Sequence, residues 1–450
     1  MQDVIAALRI PGLPDWVALL VLVLLLLCAY FSLVTLTPQS ATGVEAARQV
    51  ARTLLASPGG SPRVLIAVSD QPGDSEFASE LERLLAGSGV RILAVARGEP
   101  RQAREALLRI RDGGDHLDAI ACTPVSGAWL VFSDLKTDFP SLGDPRRIVP
   151  QEHRWPNFLK SENLLNIANQ IAVIAIVAVG MTFVIITGGI DLSVGSLIAL
   201  SAVLTARFIR DYAGGTDAGT GGMVVSALAA VCTCGLIGAF TGGMITRFGI
   251  PPFIVTLAMM LVASGLAYIL AHGQSIYQLP DSFVWLGRGA DLARLPNAVV
   301  LMVLLYGLAH VLMTRMTPGR YLYAVGGNRE AARLSGVPVR RVLLFAYVAS
   351  ALLAGLGGVI MASQLKSGSA TYGNMYELYV IAAVVVGGTS LSGGEGRMLG
   401  TLTGAFTIAV IQNGMNLTNV ESYTQKVVLG AVILGAVLLD RIRSRTRESQ

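Results

Sequence analysis

NLLNIANQIAVIAIVAVGMTFVIITGGIDLSVGSLIAL, residues 163–200, consists of two apolar runs joined by a polar break. The first run, 164–186, carries no charged side chain and is long enough to cross a bilayer as a helix; the second begins at 193. Between them Gly188 and Gly189 interrupt the helix. The backbone groups they free are tolerated at membrane depth only against protein or a water-filled cavity. Gly188, Gly189, Asp191, Ser193 and Gly195 are therefore expected to line or gate a path. Asp191 is the costly residue, because a carboxylate beside an apolar span must be paired, hydrogen-bonded or hydrated. It reads either as a gate contact or proton relay, or as a cap on the following span through the amides near 193 and 194.

Outward from this stretch the pattern repeats. Spans are expected at 16–36, 164–186, 193–209, 223–245, 253–271, 298–313, 342–363, 376–386, 399–417 and 427–439. Ten spans place both termini on one side. Loops on that side hold 13 Lys+Arg, including Arg9, Arg441, Arg443, Arg445 and Arg447, against 6 in the opposite loops once residues 38–154 are set aside. The basic side is the cytoplasmic one. Composition agrees, with 53% hydrophobic and 14% charged residues. The charge is uneven, since residues 38–162 hold 15 of the 34 Lys+Arg and 16 of the 29 Asp+Glu. One soluble insert therefore interrupts a membrane protein. The net charge of +5 is explained by loop topology, so nucleic acid is not an expected partner. Cys28, Cys122, Cys232 and Cys234 form no C-x-x-C pair and imply no metal site.

The insert alternates strand and helix patterns: strands at 63–69, 90–95, 117–122 and 147–149, helices at 46–55, 74–86, 101–111 and 127–135. Such alternation predicts a small parallel α/β layer with room for a ligand at the strand ends, near Ser69, Asp70, Thr123 and Pro124, or a docking module without one. A domain division follows: 1–37 for the tail and first helix, 38–154 for the insert, 155–440 for the membrane domain, and 441–450 for a basic tail. The expected fold is an all-α polytopic membrane protein of about ten transmembrane helices with a small inserted α/β domain outside.

Residues 187–195 can be laid over residues 386–394, each following a span that runs inward, which suggests two parallel pseudo-repeats. Gly387, Gly388, Ser390 and Ser392 then join the gate. Asn166, Gln170, Thr182, Gln412, Asn413 and Asn416 are uncharged polar groups in or beside the spans, suited to bonding a polyol. The alternative for each is a bond to a neighbouring helix.

One loop, 315–341, is dense in arginine. Asn328 is placed to cap a short helix over Glu330–Ser335, and Gly336 followed by Val337-Pro338 is placed to end it. Glu330-Ala331-Ala332, three residues, then Gly336 resembles the coupling loop of ATP-binding-cassette (ABC) importer permeases. Together with residues 163–200 and with VVVGGTSLSGGEGRMLGTLTGA, it makes the chain from about 155 onward resemble the permeases of ribose-type sugar ABC importers. The resemblance implies a permease acting as a pair, either a homodimer or with a close relative. It implies that Asn328, Arg329, Glu330, Ala331, Ala332, Arg333 and Gly336 contact a cytoplasmic ATPase, which would hold ATP and Mg; this chain would hold no cofactor. A periplasmic sugar-binding protein and inner-membrane lipid complete the implied setting, with the insert periplasmic. The insert, placed where the family has a short loop, resembles one lobe of a sugar-binding protein.

None of the four lysines follows a glycine, so there is no phosphate-binding G-x-x-x-x-G-K-[ST] loop, and no nucleophile elbow or H-E-x-x-H occurs. The chain is expected to be a transporter subunit rather than an enzyme, importing a monosaccharide or related polyol. Two rivals remain: an ion-coupled secondary transporter using Asp191, read as nearly the lone intramembrane charge, and a membrane sensor that reads a ligand with the insert.

Overall fold

The computed structural model describes residues 15–56 and 61–448, with side chains from residue 17 to residue 438. Expectations resting on Arg9 and on Arg441, Arg443, Arg445 and Arg447 lie outside the described side chains. The chain divides into two compact units, Leu36–Pro156 and the combination of Met1–Thr35 with Asn157–Gln450.

The larger unit begins with α1 (Asp15–Val34). Just beyond it the Thr35 hydroxyl donates to Phe31 O at 2.7 Å and accepts from Phe158 N at 3.1 Å. The Phe31 and Phe158 rings stack at 6.1 Å, so the departing and returning chain segments are tied together.

The smaller unit runs β1 (Leu36–Ser40), α2 (Gly43–Leu55), β2 (Arg63–Ser69), α3 (Asp74–Leu85), β3 (Arg91–Gly98), α4 (Pro100–Asp112), β4 (Ala119–Cys122), β5 (Arg146–Ile148) and β6 (Glu152–Pro156). Four strands form a parallel sheet in the order β3-β2-β4-β5. Both faces are covered, which is why the VLIAV centre of β2 is a continuous apolar run instead of alternating. Val64, Ile66 and Val68 enter the core shared with α2 and α3; Leu65 and Ala67 enter the core shared with α4. Each of the valine, leucine and isoleucine side chains contributes about 1.5–3 kcal/mol when fully buried.

Two expectations change here. β1 and β6 pair antiparallel, Leu36 opposite Pro156, so the unit extends to 36 and 156 instead of 38 and 154. Pro38 and the charged Glu152 and Arg154 disguise that ribbon as linker. The helix expected over 127–135 is three separate turns, Pro124–Gly127, Leu130–Phe132 and Leu135–Asp138. Thr123 and Ser126 cap the first turn reciprocally, and Ser126 Oγ donates to Ala67 O at 2.6 Å, which pins the turn to the sheet before a helix can propagate.

The larger unit resumes with α5 (Ser161–Ile186), α6 (Val194–Tyr212), α7 (Thr220–Phe248), α8 (Pro252–Ala271), α9 (Asn297–Arg315), α10 (Thr317–Gly327), α11 (Arg329–Leu334), α12 (Val339–Leu365), α13 (Tyr376–Val386), α14 (Met398–Leu417) and α15 (Ser422–Glu448). Among the described residues, six helices are long and apolar enough to cross a membrane: Val17–Val34, Ser161–Ile186, Thr220–Phe248, Pro252–Ala271, Asn297–Arg315 and Val339–Leu365. The chain is thus a mostly helical, polytopic membrane protein. α12 is its centre, packing against α5, α6 and α7. Small residues permit this: a Cβ at Gly180 would lie 2.6 Å from Ser350 Cα, and one at Gly238 2.5 Å from Ala351 Cβ. α13 rises only about 16 Å, half a bilayer, at the helical 1.5 Å per residue.

Candidate functional site

α5 and α13 end in the same way. At the first, Gly188 N donates to Ile185 O and Gly189 N to Val184 O; at the second, Gly388 N donates to Val385 O and Thr389 N to Val384 O. Gly188 (φ 73°) and Gly388 (φ 80°) occupy the left-handed position that closes each helix. The structural correspondence therefore pairs Gly188 with Gly388, one residue away from the overlay of 187–195 on 386–394. Backbone conformation gives this register, whereas side-chain identities favour the other, in which both glycines, Leu192, Ser193 and Gly195 all find matches. The repeat also does not reproduce the carboxylate, since Leu391 stands where Asp191 would be matched.

Asp191 is 2% exposed and fully bonded. Its Oδ1 accepts from Ser193 N at 3.0 Å and Ser193 Oγ at 2.6 Å, and its Oδ2 accepts from Ser350 Oγ at 2.9 Å. The expected cap is modified accordingly. Ser193, itself helical in conformation, holds the N-cap position of α6, so Asp191 serves the Ser193 amide rather than that of Val194. Ser350 lies near the middle of α12, which makes the carboxylate a pin between the break and the central helix. Hydrogen bonds to a charged group contribute about 1.5–3 kcal/mol each.

The two breaks meet. Gly394 N donates to Ile186 O at 2.8 Å, a backbone seam between the segment after α13 and the end of α5. Gly326, at the end of α10, packs directly on this seam, because a Cβ there would collide with Ile186 O and Gly394 N. Within the second break Ser392 N donates to Ser390 Oγ at 3.3 Å.

The short helix α11 starts one residue before the expected 330. Asn328 Oδ1 accepts from Ala331 N at 2.9 Å, Glu330 pairs with Arg333 at 2.7 Å, and Ala332 is buried. Gly336 stops it in the left-handed region (φ 80°). Arg329 Nη2 donates to Thr187 O at 3.4 Å and Tyr323 OH to Gly396 O at 2.7 Å, so the segment carrying α11 touches both breaks. Tyr323, Gly326, Ser350 and Gly394 gave no local signal of this; their partners lie 68 or more residues away.

Two cavities flank the start of α13. The first, about 270 Å³, is lined by Gln170, Gln412, Gln364 and Tyr376 among apolar side chains. Of the six expected polyol contacts, only Gln170 and Gln412 line it. Thr182 is fully buried, donating to Ala178 O and sharing a 2.9 Å bond with Thr401. Asn413 and Asn163 bond each other, and Asn416 accepts from Gln425. These bonds tie Thr182, Asn413 and Asn416 to neighbouring helices. Asn166 is exposed and lines neither cavity. The second cavity, about 250 Å³, includes Glu377, so Asp191 is not the lone carboxylate in the helical region. Glu377 and Gln364 were passed over because each sits at the margin of an apolar run, where a polar residue reads as loop.

Residues 163–437 match the family model for the permease component of branched-chain amino acid transport systems. The chain is 42% identical over 293 residues to the ribose import permease protein RbsC of Escherichia coli, covering 63% of this chain and 87% of that one. It is 45% identical over 291 residues to the ribose import permease protein RbsC of Bacillus subtilis, covering 64% and 88%. It is 34% identical over 288 residues to the D-allose transport system permease protein AlsC of Escherichia coli, covering 64% and 86%. No solved structure matches. With the family model matching more than half of its length, the chain belongs to this family of transport-system permease components, a multi-pass inner-membrane transporter subunit and not an enzyme.

Proposed function

We propose that the chain is the membrane subunit of an ATP-driven importer for a monosaccharide or related polyol. The relatives named for ribose and D-allose support the substrate class. The observation that carries the mechanism is the double tether of the α11 segment, Arg329 to Thr187 O and Tyr323 to Gly396 O. In this reading a partner ATPase, holding ATP and Mg, docks on Asn328, Arg329, Glu330, Ala331, Ala332, Arg333 and Gly336. Movement of α11 pulls on both breaks and opens the Gly394–Ile186 seam, admitting sugar past Gln170 and Gln412. Ligand and nucleotide shift that equilibrium only through differential contacts with the two states.

The full assembly in this proposal has ten spans, cytoplasmic termini, a periplasmic insert and a second permease copy, fed by a periplasmic sugar-binding protein. Within the insert, the strand-end notch is occupied by the chain itself: Asp74 Oδ2 accepts from Ser69 N, Ser69 Oγ and Thr123 Oγ1. This favours docking over ligand capture. Asp191 has only neutral donors around it, which favours a pin over an ion relay.

The test is uptake of ribose, D-allose and L-arabinose by proteoliposomes carrying the chain with its ATPase. Uptake should require ATP and vanish in Gly336→Pro, whose ring cannot adopt the positive φ at that position, and in Glu330→Arg, with insertion unchanged. Normal uptake in both variants would remove α11 from the coupling role. Uptake driven by an ion gradient without ATPase would remove the importer reading.

A further inference from the structure

We propose that the cavity framed by α6, α8 and the start of α13 is a second monosaccharide-binding site, in which Glu377 accepts hydrogen bonds from two neighbouring sugar hydroxyls. The inference rests on the sugar-importer reading and adds to it a site separate from the glutamine-lined cavity.

The space measures about 250 Å³, the liquid volume of roughly eight waters, which is the scale of one sugar ring with its hydroxyls. Seven polar side chains line it: Ser196, Ser264, Tyr268, Thr371, Tyr372, Asn374 and Glu377. Among the described residues no side-chain hydrogen bond engages Ser196, Ser264, Tyr268 or Asn374, and Glu377 finds only its own backbone amide. Asp191 differs in being saturated from three directions. Tyr268, Thr371 and Asn374 are exposed and Ser196, Ser264 and Glu377 half-buried, so the set lines an open cleft with polar groups available to an entering ligand.

The donor and acceptor inventory selects the occupant. A carboxylate accepts only, at two oxygens, and so suits a pair of adjacent hydroxyls; Asn374 offers two donors and an acceptor; the serines and threonine supply groups that do either. The Tyr268 ring offers an apolar face to sugar C–H groups while its hydroxyl remains a polar tip. A divalent cation fits poorly, because the cavity has one carboxylate and no three His, Cys, Asp or Glu residues gather among the described residues.

The backbone holds the site open. A Cβ at Gly195 would collide with Glu377 Oε2 and Gly373 O, so the absence of a side chain there lets the carboxylate reach the first turn of α6. Successive residues Tyr376 and Glu377 line different cavities, so the start of the half-span helix α13 is the wall between two polyol sites.

The experiment uses the full chain in nanodiscs, as Asn374→Cys in a Cys232→Ser background, with a charged methanethiosulfonate reagent and saturating ribose, D-allose or L-arabinose. The sugar that the wild type imports should slow labelling at least fivefold, while a sugar that it does not import leaves the rate unchanged. Glu377→Gln in the transporting assembly should raise KM for that sugar tenfold or more, and maximal uptake should fall less. Labelling indifferent to the imported sugar, or slowed by sodium chloride alone, together with an unchanged KM in Glu377→Gln, would overturn the second site. A wild-type protein that imports none of the sugars would instead overturn the importer reading beneath it.

Discussion

Asp74 in the α/β unit and Asp191 in the helical unit are held by the same donor set. Each accepts from the amide and hydroxyl of one serine, at 3.0 and 2.6 Å, and from a second hydroxyl far along the chain, Thr123 for Asp74 and Ser350 for Asp191. Their settings differ. Asp74 opens α3 and closes the end of a parallel sheet, where nothing needs to move. Asp191 joins a helix break to the middle of the central helix α12, where the proposed motion must pass. The same three bonds thus make a structural plug in one unit and a hinge pin in the other, and chemistry alone would not separate the two roles.

Substitution should separate them. The largest effect is expected for Asp191→Ala, which strands the Ser193 and Ser350 donors: ATP-driven uptake falls more than tenfold while the protein still inserts. Uptake within twofold of wild type would show the pin to be dispensable. Asp74→Ala is expected to destabilise the α/β unit by about 2–4 kcal/mol, from unsatisfied donors at about 1–3 kcal/mol each, and to leave the helical unit resistant. Limited proteolysis of the full chain reads this, and cleavage confined to the helices would contradict it. Ser350→Ala removes a single bond, about 1.5–3 kcal/mol, and should lower the melting temperature less than Asp191→Ala does.

A smaller effect concerns pH. Burial pushes the Cys122 thiol up from 9.0 to about 12. The unfolded thiol ionises first, so the stability it contributes is complete below pH 9 and is lost as pH rises towards 12. Between pH 9 and 10 the α/β unit should lose up to about 1.4 kcal/mol that Cys122→Ala does not lose. Equal alkaline slopes for the two proteins would refute this. The smallest effect is expected at Tyr347, whose buried hydroxyl has no partner among the described residues. Tyr347→Phe should leave thermal stability unchanged or raise it by about 1 kcal/mol, and a clear loss would mean that the hydroxyl has a bonding role.

Asp74 and Asp191 also mark what a linear reading reaches. Helix positions were legible because an apolar run reports its own length: α13 was expected over 376–386 and is found there. The strand runs RVLIAVS and AIAC were legible for the same reason. The Asn328 cap and the Gly336 stop are local, so they too could be read. The ties that give these elements a role are not local. Ser350 lies 159 residues from Asp191 and nothing in the composition around it singles it out; Thr123 lies 49 from Asp74, and its place at a strand end marked it as a ligand position rather than as a partner of Asp74. The register of the repeat differs by one residue because side-chain identities pair Gly188 with Gly387, whereas the left-handed φ falls at Gly188 and Gly388.

The seam from Gly394 N to Ile186 O is made of main chain alone. No exchange of side chain at either residue deletes its donor or its acceptor, short of proline at 394. The cavity walls, by contrast, are side chains. A lineage could therefore exchange glutamine, tyrosine or asparagine in the walls, and so change diet, while inheriting the same door.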